Sequence, residues 1–314
     1  IVEEPNKDDV NKTDPEASDD SVSKPENSEH PSDKLNIAND GQDSTNATGV
    51  VQNCMASVVG IYVGNTTISY ATGETQEQDT GSGSGVIITD DGYIVTNNHV
   101  VQGADTIHVY LQDGTKYDAK LIGTDTFSDL AIVKIDVANL PAATIGSSGN
   151  VTVGDTVYAI GNPLGVLTSS VSKGIISGLD RTITIDGISM TLMQTDASIN
   201  PGNSGGGLFN ESGELIGIVN AKSASVEVEG LGFAIPVDSA RPVITDLVDL
   251  GYVTGRPYIG ITMQDVSLRY GNSNNRNNPF SFYMDNYVTR VQVMSVESGS
   301  AAEKGGLLVN DILM

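Results

Sequence analysis

Short hydrophobic runs separated by polar turns extend through most of the chain, from residue 50 to about residue 236. Two of these runs, 86–88 and 93–95, flank Asp90-Asp91-Gly92, and Asp-Gly between hydrophobic segments is a strong hairpin signal. Further runs of the same kind are 107–111, 117–122, 130–135, 157–160, 170–177, 190–194, 208–209 and 215–219. The pattern therefore predicts β-strands in close succession.

Strands of this length and density are typical of sandwiches and barrels, so the predicted fold class is all-β. About 190 residues are long for a single barrel, and we therefore predict two packed barrels. One helix is predicted after them, with hydrophobic residues at helical spacing at Val237, Ala240, Val243, Ile244, Leu247 and Val248. Gly251 stands where a glycine commonly ends a helix.

Residues 1–48 differ from the rest of the chain in composition. They carry 13 acidic residues against four lysines, and almost no hydrophobic residues. Such a segment buries too little apolar surface to offset its ordering entropy, so we predict a disordered acidic linker. The chain of 314 residues has a net charge of −24, which disfavours nucleic acid as a partner.

The most distinctive segment places a serine inside a glycine-rich turn, NPGNSGGG at residues 200–207. Ser204 in this turn is a candidate nucleophile, because glycines allow backbone N–H groups to approach a developing oxyanion closely. The alternative is a bulged hairpin turn that contains a serine by chance. The choice between them depends on whether the chain also supplies a base.

A serine nucleophile needs a base, and the chain has three histidines. His30 lies in the predicted linker. His108 lies in an alternating strand, on a face that we expect to be solvated. His99 follows the strand that begins at Tyr93, a position where a base is held rigidly and stays accessible. His99 is therefore the candidate base.

The base in turn needs a carboxylate that sets its tautomer. Asp129 opens the apolar strand 129–135, where a carboxylate is costly unless it has a partner. Asp125, in the preceding loop, is the rival candidate. The chain order His99, Asp129, Ser204 is the order of the chymotrypsin arrangement.

Three stretches, GSGVIITDDGYIVTNNHVV, SDLAIVKI and QTDASINPGNSGGGLFNESGELIGI, resemble the HtrA/DegP family of serine proteases. The resemblance implies a chymotrypsin-like double β-barrel. It also implies that Ser204 is the nucleophile, His99 the general base and acid, and Asp129 the orienting carboxylate. The implied oxyanion hole consists of the backbone N–H groups of Gly202, Asn203 and Ser204. No metal or cofactor is implied.

The substrate pocket is expected to be apolar and modest in size. The position six residues before the nucleophile is Ser198, whereas selection of basic side chains needs an acid at the bottom of the pocket. We therefore expect cleavage after small aliphatic residues such as Val, Ala or Ile. The residues predicted to form the pocket are Ile199, Val219, Asn220, Ala221 and Lys222.

A second domain begins near Arg256 and resembles the PDZ domain that follows the protease in this family. The resemblance lies in YIGI at 258–261 and in GSAAEKGGL at 299–307. Its expected carboxylate-binding loop is Tyr258, Ile259, Gly260 and Ile261. The predicted domains are a linker at 1–48, a trypsin-like protease at 49–252 and an incomplete PDZ domain at 256–314. We expect the natural protein to continue beyond Met314, and the asparagine-rich stretch 272–278 to be a loop.

The resemblance implies a serine endopeptidase that cleaves unfolded or misfolded proteins in the cell envelope. It also implies a homotrimer, and capture of peptide C-termini by a complete PDZ domain. We expect an extracytoplasmic protein that is anchored in a membrane through a segment upstream of Ile1. One alternative is a catalytically silent or chaperone-like PDZ scaffold. A second is an enzyme that uses Cys54, for which a buried structural cysteine is the competing interpretation.

Overall fold

The structure, a computed structural model, describes residues 30–37, 47–68, 75–163, 169–185, 187–222, 231–256, 259–270 and 286–313. The chain divides into two compact units, Ile1–Asp249 and Leu250–Met314. Strands account for most of the regular structure in both units, and this confirms the all-β prediction.

The first barrel is a seven-stranded antiparallel sheet. Its strands are β1 (Val58–Ile68), β2 (Thr75–Ile87), β3 (Tyr93–Asn97), β4 (Thr106–Tyr110), β5 (Lys116–Asp118), β6 (Lys120–Asp125) and β7 (Leu130–Lys134). The spatial order is β5-β4-β1-β2-β3-β7-β6, and Ala119 alone separates the two end strands in sequence. The sheet therefore curls until its ends meet. Val59, Ile61 and Val63 alternate along β1 into the buried core.

The second barrel is also built from seven strands. They are β8 (Thr144–Ile145), β9 (Thr156–Gly161), β10 (Ser170–Ile185), β11 (Ile188–Thr195), β12 (Gly207–Asn210), β13 (Glu214–Val219) and β14 (Gly232–Pro236). Because β12 pairs with both β9 and β13, the ring β12-β9-β10-β11-β14-β13 is closed, and β8 adds to β13 in parallel. Its core contains Ile176, Met193, Leu208 and Ile216. The prediction of two barrels is thus confirmed.

Helices account for little of the first unit. They are α1 (Ala47–Ala56), α2 (Asn98–Val101), α3 (Val237–Leu250) and a 3-10 helix at Pro31–Lys34. The predicted helix is confirmed in α3, whose six predicted hydrophobic positions are all buried. The strand pattern predicted from residue 50 is wrong for α1. Val50 and Cys54 lie four residues apart and form the buried face of that helix, so their spacing is helical.

Residues 30–37, which their composition assigned to the linker, contact other parts of the first unit. The backbone N–H and the hydroxyl of Ser32 donate to the Asp249 carboxylate at 3.0 and 2.6 Å. Ile37 forms a parallel bridge with Ile145. The structure differs from the predicted linker here because composition does not reveal such specific partners. The rest of that linker, at 1–29 and 38–46, lies outside the described residues, and residues 47–48 belong to α1.

The second unit contains a three-stranded antiparallel sheet. Its elements are β15 (Ile261–Tyr270), β16 (Asn286–Val296), α4 (Ala301–Lys304) and β17 (Ile312–Leu313), with the strand order β15-β16-β17. Within the described part of this unit, Val293 and Ala302 are the hydrophobic side chains that are buried. Gly260 has φ +80°, and Ile259 accepts a hydrogen bond from Ala302. Tyr258 and the predicted loop at 272–278 lie outside the described residues. The PDZ assignment stays a prediction.

Candidate active site

His99 and Asp129 lie at the same end of two paired strands. Strands β3 and β7 are antiparallel, with Asn97 opposite Leu130. His99 comes two residues after Asn97, at the start of α2, and Asp129 comes immediately before Leu130. The pairing register therefore places the histidine beside the carboxylate, although 30 residues separate them in sequence.

The side chains of His99, Asp129 and Ser204 form one hydrogen-bonded chain. Nδ1 of His99 lies 2.6 Å from Oδ2 of Asp129, and Nε2 lies 2.9 Å from Oγ of Ser204. The backbone N–H of His99 also donates to Oδ1 of Asp129, at 3.0 Å. The structure thus brings together the three residues that the sequence predicts as nucleophile, base and carboxylate.

The proton positions in this chain follow from a backbone donor. The N–H of Ala221 donates to Oγ of Ser204 at 3.2 Å. The hydroxyl therefore accepts from Ala221 and keeps its own proton for Nε2 of His99. In neutral His99 the ring proton then resides on Nδ1 and is donated to Asp129. This is the tautomer that a general base for Ser204 requires.

Asp129 is held by three further hydrogen bonds. Asn220, fully buried, donates from Nδ2 to Oδ2 of Asp129 at 2.9 Å. The backbone carbonyl of Asp129 accepts from Asn97 Nδ2 and from the N–H of Asn98, both at 3.0 Å. Asp129 itself has φ +53°, a conformation that costs a non-glycine residue about 1–3 kcal/mol. These contacts hold a strained backbone so that the carboxylate faces His99.

The predicted oxyanion donors lie in and just after a tight turn. Asn203 donates its N–H to the carbonyl of Asn200 at 3.0 Å. With Pro201 at the second position and Gly202 at φ +95° in the third, this is a type II turn. The N–H of Asn203 is thereby occupied, which corrects its prediction as an oxyanion donor. Among the described residues, the N–H groups of Gly202 and Ser204 have no hydrogen-bond acceptor.

Glycine is required directly after the nucleophile. Gly205 has φ +82°. A Cβ at this position would lie 2.2 Å from the carbonyl oxygen of Ser84 and 2.3 Å from the hydroxyl of Thr96. Both neighbours belong to the first barrel, whereas Ser204 leads into β12 of the second. The absence of a side chain therefore allows the two barrels to meet at the nucleophile.

The predicted pocket residues separate into two groups. Val219 is fully buried in the core of the second barrel, and the side chain of Asn220 is bonded to Asp129. Both side chains are packed in the interior, so these two residues can line a pocket only with their backbone, and the pocket stays a prediction. Ile199 packs half-buried against the same core, and Ala221 and Lys222 are half-buried beyond β13.

The rival candidates lie apart from this hydrogen-bonded chain. Asp125 accepts a hydrogen bond from the backbone N–H of Ser128 at 3.0 Å. His108 is buried, so its predicted solvated position is wrong. Its Nδ1 lies 2.9 Å from Asp118 and its Nε2 lies 2.6 Å from Glu77, which reaches over it from β2. Hydrogen bonds from Thr106 and His108 lower the pKa of the Glu77 carboxyl.

Cys54 does not have the properties of a nucleophile. Its burial in α1 raises the pKa of the thiol to about 11, so the thiol stays protonated at neutral pH. Within the described ranges, no group of three or more His, Cys, Asp or Glu residues is arranged to hold a metal ion. In that same part of the chain, no helix has the length and apolar character needed to span a membrane.

Comparison with known proteins agrees with this geometry. Residues 83–218 match the family described as "Trypsin-like peptidase domain". "Serine protease Do-like HtrA" of Bacillus subtilis (strain 168) is 38% identical over 288 residues, which are 87% of this chain and 64% of that protein. "Probable periplasmic serine endoprotease DegP-like" of Pseudomonas savastanoi pv. phaseolicola (strain 1448A / Race 6) is 43% identical over 77% of this chain and 48% of its own length. The chain thus spans about half to two thirds of the length of these curated relatives.

Solved structures show the same similarity. The structure "HtrA-type protease AlgW with decapeptide" superposes with a TM-score of 0.60 at 34% identity, covering 84% of this chain and 83% of that one. The form titled "HtrA-type protease AlgWS227A with decapeptide" has the same TM-score at 33% identity, covering 85% of this chain and 83% of that one.

Proposed function

Because this chain belongs to the HtrA/DegP family of serine proteases, we propose that it is a serine endopeptidase acting through His99, Asp129 and Ser204. The observation that carries the proposal is the continuous chain of hydrogen bonds from Asp129 Oδ2 through His99 to Ser204 Oγ. In this chain the nucleophile, base and orienting carboxylate lie in direct contact. All three positions retain the residue type that acyl transfer to serine needs.

The first half of the reaction forms an acyl-enzyme. His99 Nε2 accepts the hydroxyl proton as Ser204 Oγ attacks the carbonyl carbon of the scissile peptide bond. The negative charge that develops on the carbonyl oxygen is stabilised by the N–H groups of Gly202 and Ser204. Asp129 stabilises the imidazolium ion of His99. His99 then donates its proton to the leaving amine as the peptide C–N bond breaks.

The second half releases the product. His99 accepts a proton from a water molecule, which attacks the ester carbonyl of the acyl-enzyme. The same two backbone N–H groups stabilise the second tetrahedral intermediate. Return of the proton from His99 to Ser204 Oγ breaks the ester bond and frees the new carboxyl terminus. Every proton is carried by His99, so no metal or cofactor takes part in the proposed mechanism.

The proposed substrates are unfolded or misfolded polypeptides, cut after small aliphatic residues. Ile199 supports this preference, since it is an aliphatic side chain of the predicted set that is half-buried rather than fully buried. The exposed Ser198, in place of an acid, offers no counter-charge for Lys or Arg. Ala221 and Lys222 are proposed as the opposite edge of the pocket.

The proposed organisation follows the family. We propose a protease domain at 49–252 and a PDZ domain at 256–314, and the division between the two compact units at Asp249 and Leu250 supports this. A homotrimer, and recognition of peptide C-termini by a loop that includes Ile259, Gly260 and Ile261, are part of the same proposal. The word "periplasmic" in the name of the Pseudomonas relative supports an extracytoplasmic location.

Digestion of casein, an unfolded protein, tests the proposal. We expect the chain to cleave casein, Ser204→Ala to be inactive, and Ser189→Ala, in the exposed β10–β11 hairpin, to match the wild type. Equal cleavage by Ser204→Ala, or no cleavage by any of the three, would overturn the assignment of the nucleophile. The latter result would favour the scaffold alternative. Mass spectrometry of the fragments tests the pocket separately, because a preference for Lys or Arg at the cut site would contradict it.

A further inference from the structure

One residue of the first barrel contacts the nucleophile loop on both sides of Asn203. Ser84 lies in β2 and is completely buried. Its backbone N–H donates to the carbonyl oxygen of Ser204 at 2.8 Å. Its hydroxyl lies 2.6 Å from the carbonyl oxygen of Gly202. Ser84 therefore binds the two residues whose N–H groups form the proposed oxyanion hole.

The direction of the hydroxyl bond is determined by a second neighbour. The backbone N–H of Asn162 donates to Oγ of Ser84 at 2.7 Å. Because an N–H group can only donate, the hydroxyl accepts from Asn162, and its single proton is donated to the carbonyl of Gly202. The hydroxyl thus links the chain after β9 with the turn before the nucleophile. Because Ser84 is completely buried, losing either of these hydrogen bonds is costly.

We propose that Ser84 is a positioning residue for the oxyanion hole: it holds Gly202 and Ser204 by their carbonyl groups so that their N–H groups converge on the reacting carbonyl. The inference rests on the proposed function. Ser84 touches neither the substrate nor the proton relay, and it acts only through the backbone of residues 202–204.

The geometry explains why a backbone turn needs this support. The peptide group between Gly202 and Asn203 is held at both ends, by Ser84 at its oxygen and by the Asn200 carbonyl at its N–H. Without the hydroxyl, this peptide group keeps only the hydrogen bond from its N–H to Asn200. Glycine at φ +95° also has no side chain that resists rotation. The Asn162 N–H and the Gly202 carbonyl would also both lose a buried partner. Rotation of the turn would then give the Gly202 carbonyl a new hydrogen-bond partner, but it would also move the N–H groups of the proposed oxyanion hole out of position.

The test compares Ser84→Ala with the matched control Ser57→Ala. Ser57 is also buried, and its hydroxyl donates to the carbonyl of Cys54 at 2.7 Å, at the end of α1. Kinetics are measured with a peptide nitroanilide built from the preferred casein cut site. The matching peptide aldehyde is the probe of the oxyanion hole, because its adduct with Ser204 carries a tetrahedral oxygen there. Thermal unfolding reports stability for each variant.

For Ser84→Ala we expect kcat to fall roughly tenfold to a hundredfold. The upper end is the effect of a shift of about 1 Å in the reacting groups, and it lies below the loss of about 10²–10³-fold on removing an oxyanion donor outright. The affinity for the aldehyde should weaken by the same factor, while KM changes by less than about twofold. Ser57→Ala should change neither kcat nor the affinity for the aldehyde, even where it lowers the melting temperature. In Ser84→Cys the side chain is close in shape to serine but is a weaker donor, so kcat and aldehyde affinity should lie between those of the wild type and of Ser84→Ala. Ser84→Cys replaces Ser84→Ala in the test if Ser84→Ala does not fold.

Two outcomes would overturn the inference. One is a wild-type kcat in Ser84→Ala, or in Ser84→Cys where it serves as the replacement. The other is a loss of kcat without loss of aldehyde affinity, which would place the defect away from the oxyanion. If either result is obtained while the wild type is active and Ser204→Ala is inactive, only the role of Ser84 is overturned and the proposed function stands. A wild type without Ser204-dependent cleavage would overturn the proposed function, and this inference with it.

Discussion

The two barrels present their halves of the proposed active site by different means. The first barrel presents side chains. His99 and Asp129 stand at the ends of paired strands, and hydrogen bonds join the histidine to the carboxylate of Asp129. The second barrel presents backbone. Its turn at 200–203 and Gly205 both use positive φ to place N–H groups around Ser204. Charge and hydrogen-bond donors therefore determine the first half, and backbone conformation determines the second.

This difference predicts how each half fails. A substitution that preserves shape but removes charge should inactivate the first half without unfolding it. A substitution that adds a single methyl group should damage the second half through geometry, with a loss of stability. Where a side chain of one barrel only supports a residue of the other, the effect of removing it should be smaller.

The largest effect is expected in the first barrel, for Asp129→Asn. The amide keeps the shape of the carboxylate but neither fixes the tautomer of His99 nor stabilises its imidazolium, so kcat should fall about 10⁴-fold. Asp125→Asn is the matched control, because Asp125 is equally buried in the same barrel and bonds Ser128 instead. Steady-state kinetics on the nitroanilide peptide and a thermal melt measure both variants. Equal losses in the two would contradict the assignment of Asp129.

The second barrel should respond to Gly205→Ala with a loss of both stability and activity. The new Cβ would meet the Ser84 carbonyl at 2.2 Å in a backbone conformation unfavourable to alanine. The free energy of unfolding should fall by about 2–5 kcal/mol, from backbone strain and overpacking together. Displacement of Ser204 should also reduce cleavage of the peptide.

Gly114→Ala separates the two causes of that loss. Gly114 has the same φ of +82°, but nothing lies within 4 Å of its missing Cβ. Its substitution should therefore cost only the conformational strain of about 1–2 kcal/mol and leave kcat unchanged. Chemical denaturation of both variants gives the difference. If the two substitutions cost the same, the close approach of the barrels at Gly205 contributes nothing.

The extent to which the sequence predicts this site depends on how local each signal is. His99, Asp129 and Ser204 are predictable because each stands at a recognisable strand end or glycine-rich turn, and their order matches a known arrangement. The double barrel is predictable for a similar reason, since alternation and Asp-Gly turns are local. Helix α1 was missed because an apolar run around Val50 has a strand interpretation until its buried face is known.

Contacts between distant segments could not be predicted in this way. Asn220 lies 91 residues from Asp129, and Ser84 lies 118 residues from Gly202. The alternating pattern places His108 on one face of β4, but it does not show that Glu77 covers that face. A signal for Ser84 was present in the GSG that begins the first matching stretch, although nothing in that segment indicates which loop it would contact.

The smallest effect is expected where the second barrel supports the first, for Asn220→Ala. This substitution removes the amide that donates to Asp129 Oδ2 at 2.9 Å. A hydrogen bond to a charged group contributes about 1.5–3 kcal/mol, so the loss of kcat should be at least about tenfold, and far smaller than for Asp129→Asn. Because the Asn220 side chain is fully buried against Asp129, KM should not change, whereas a side chain that lines the pocket would alter KM and cut-site preference. Asn210→Ala is the control: its amide donates to Glu214 at 2.8 Å in the same barrel, away from the site. If Asn220→Ala changes cut-site preference and leaves kcat intact, Asn220 serves the pocket, and the first barrel holds its carboxylate without help from the second.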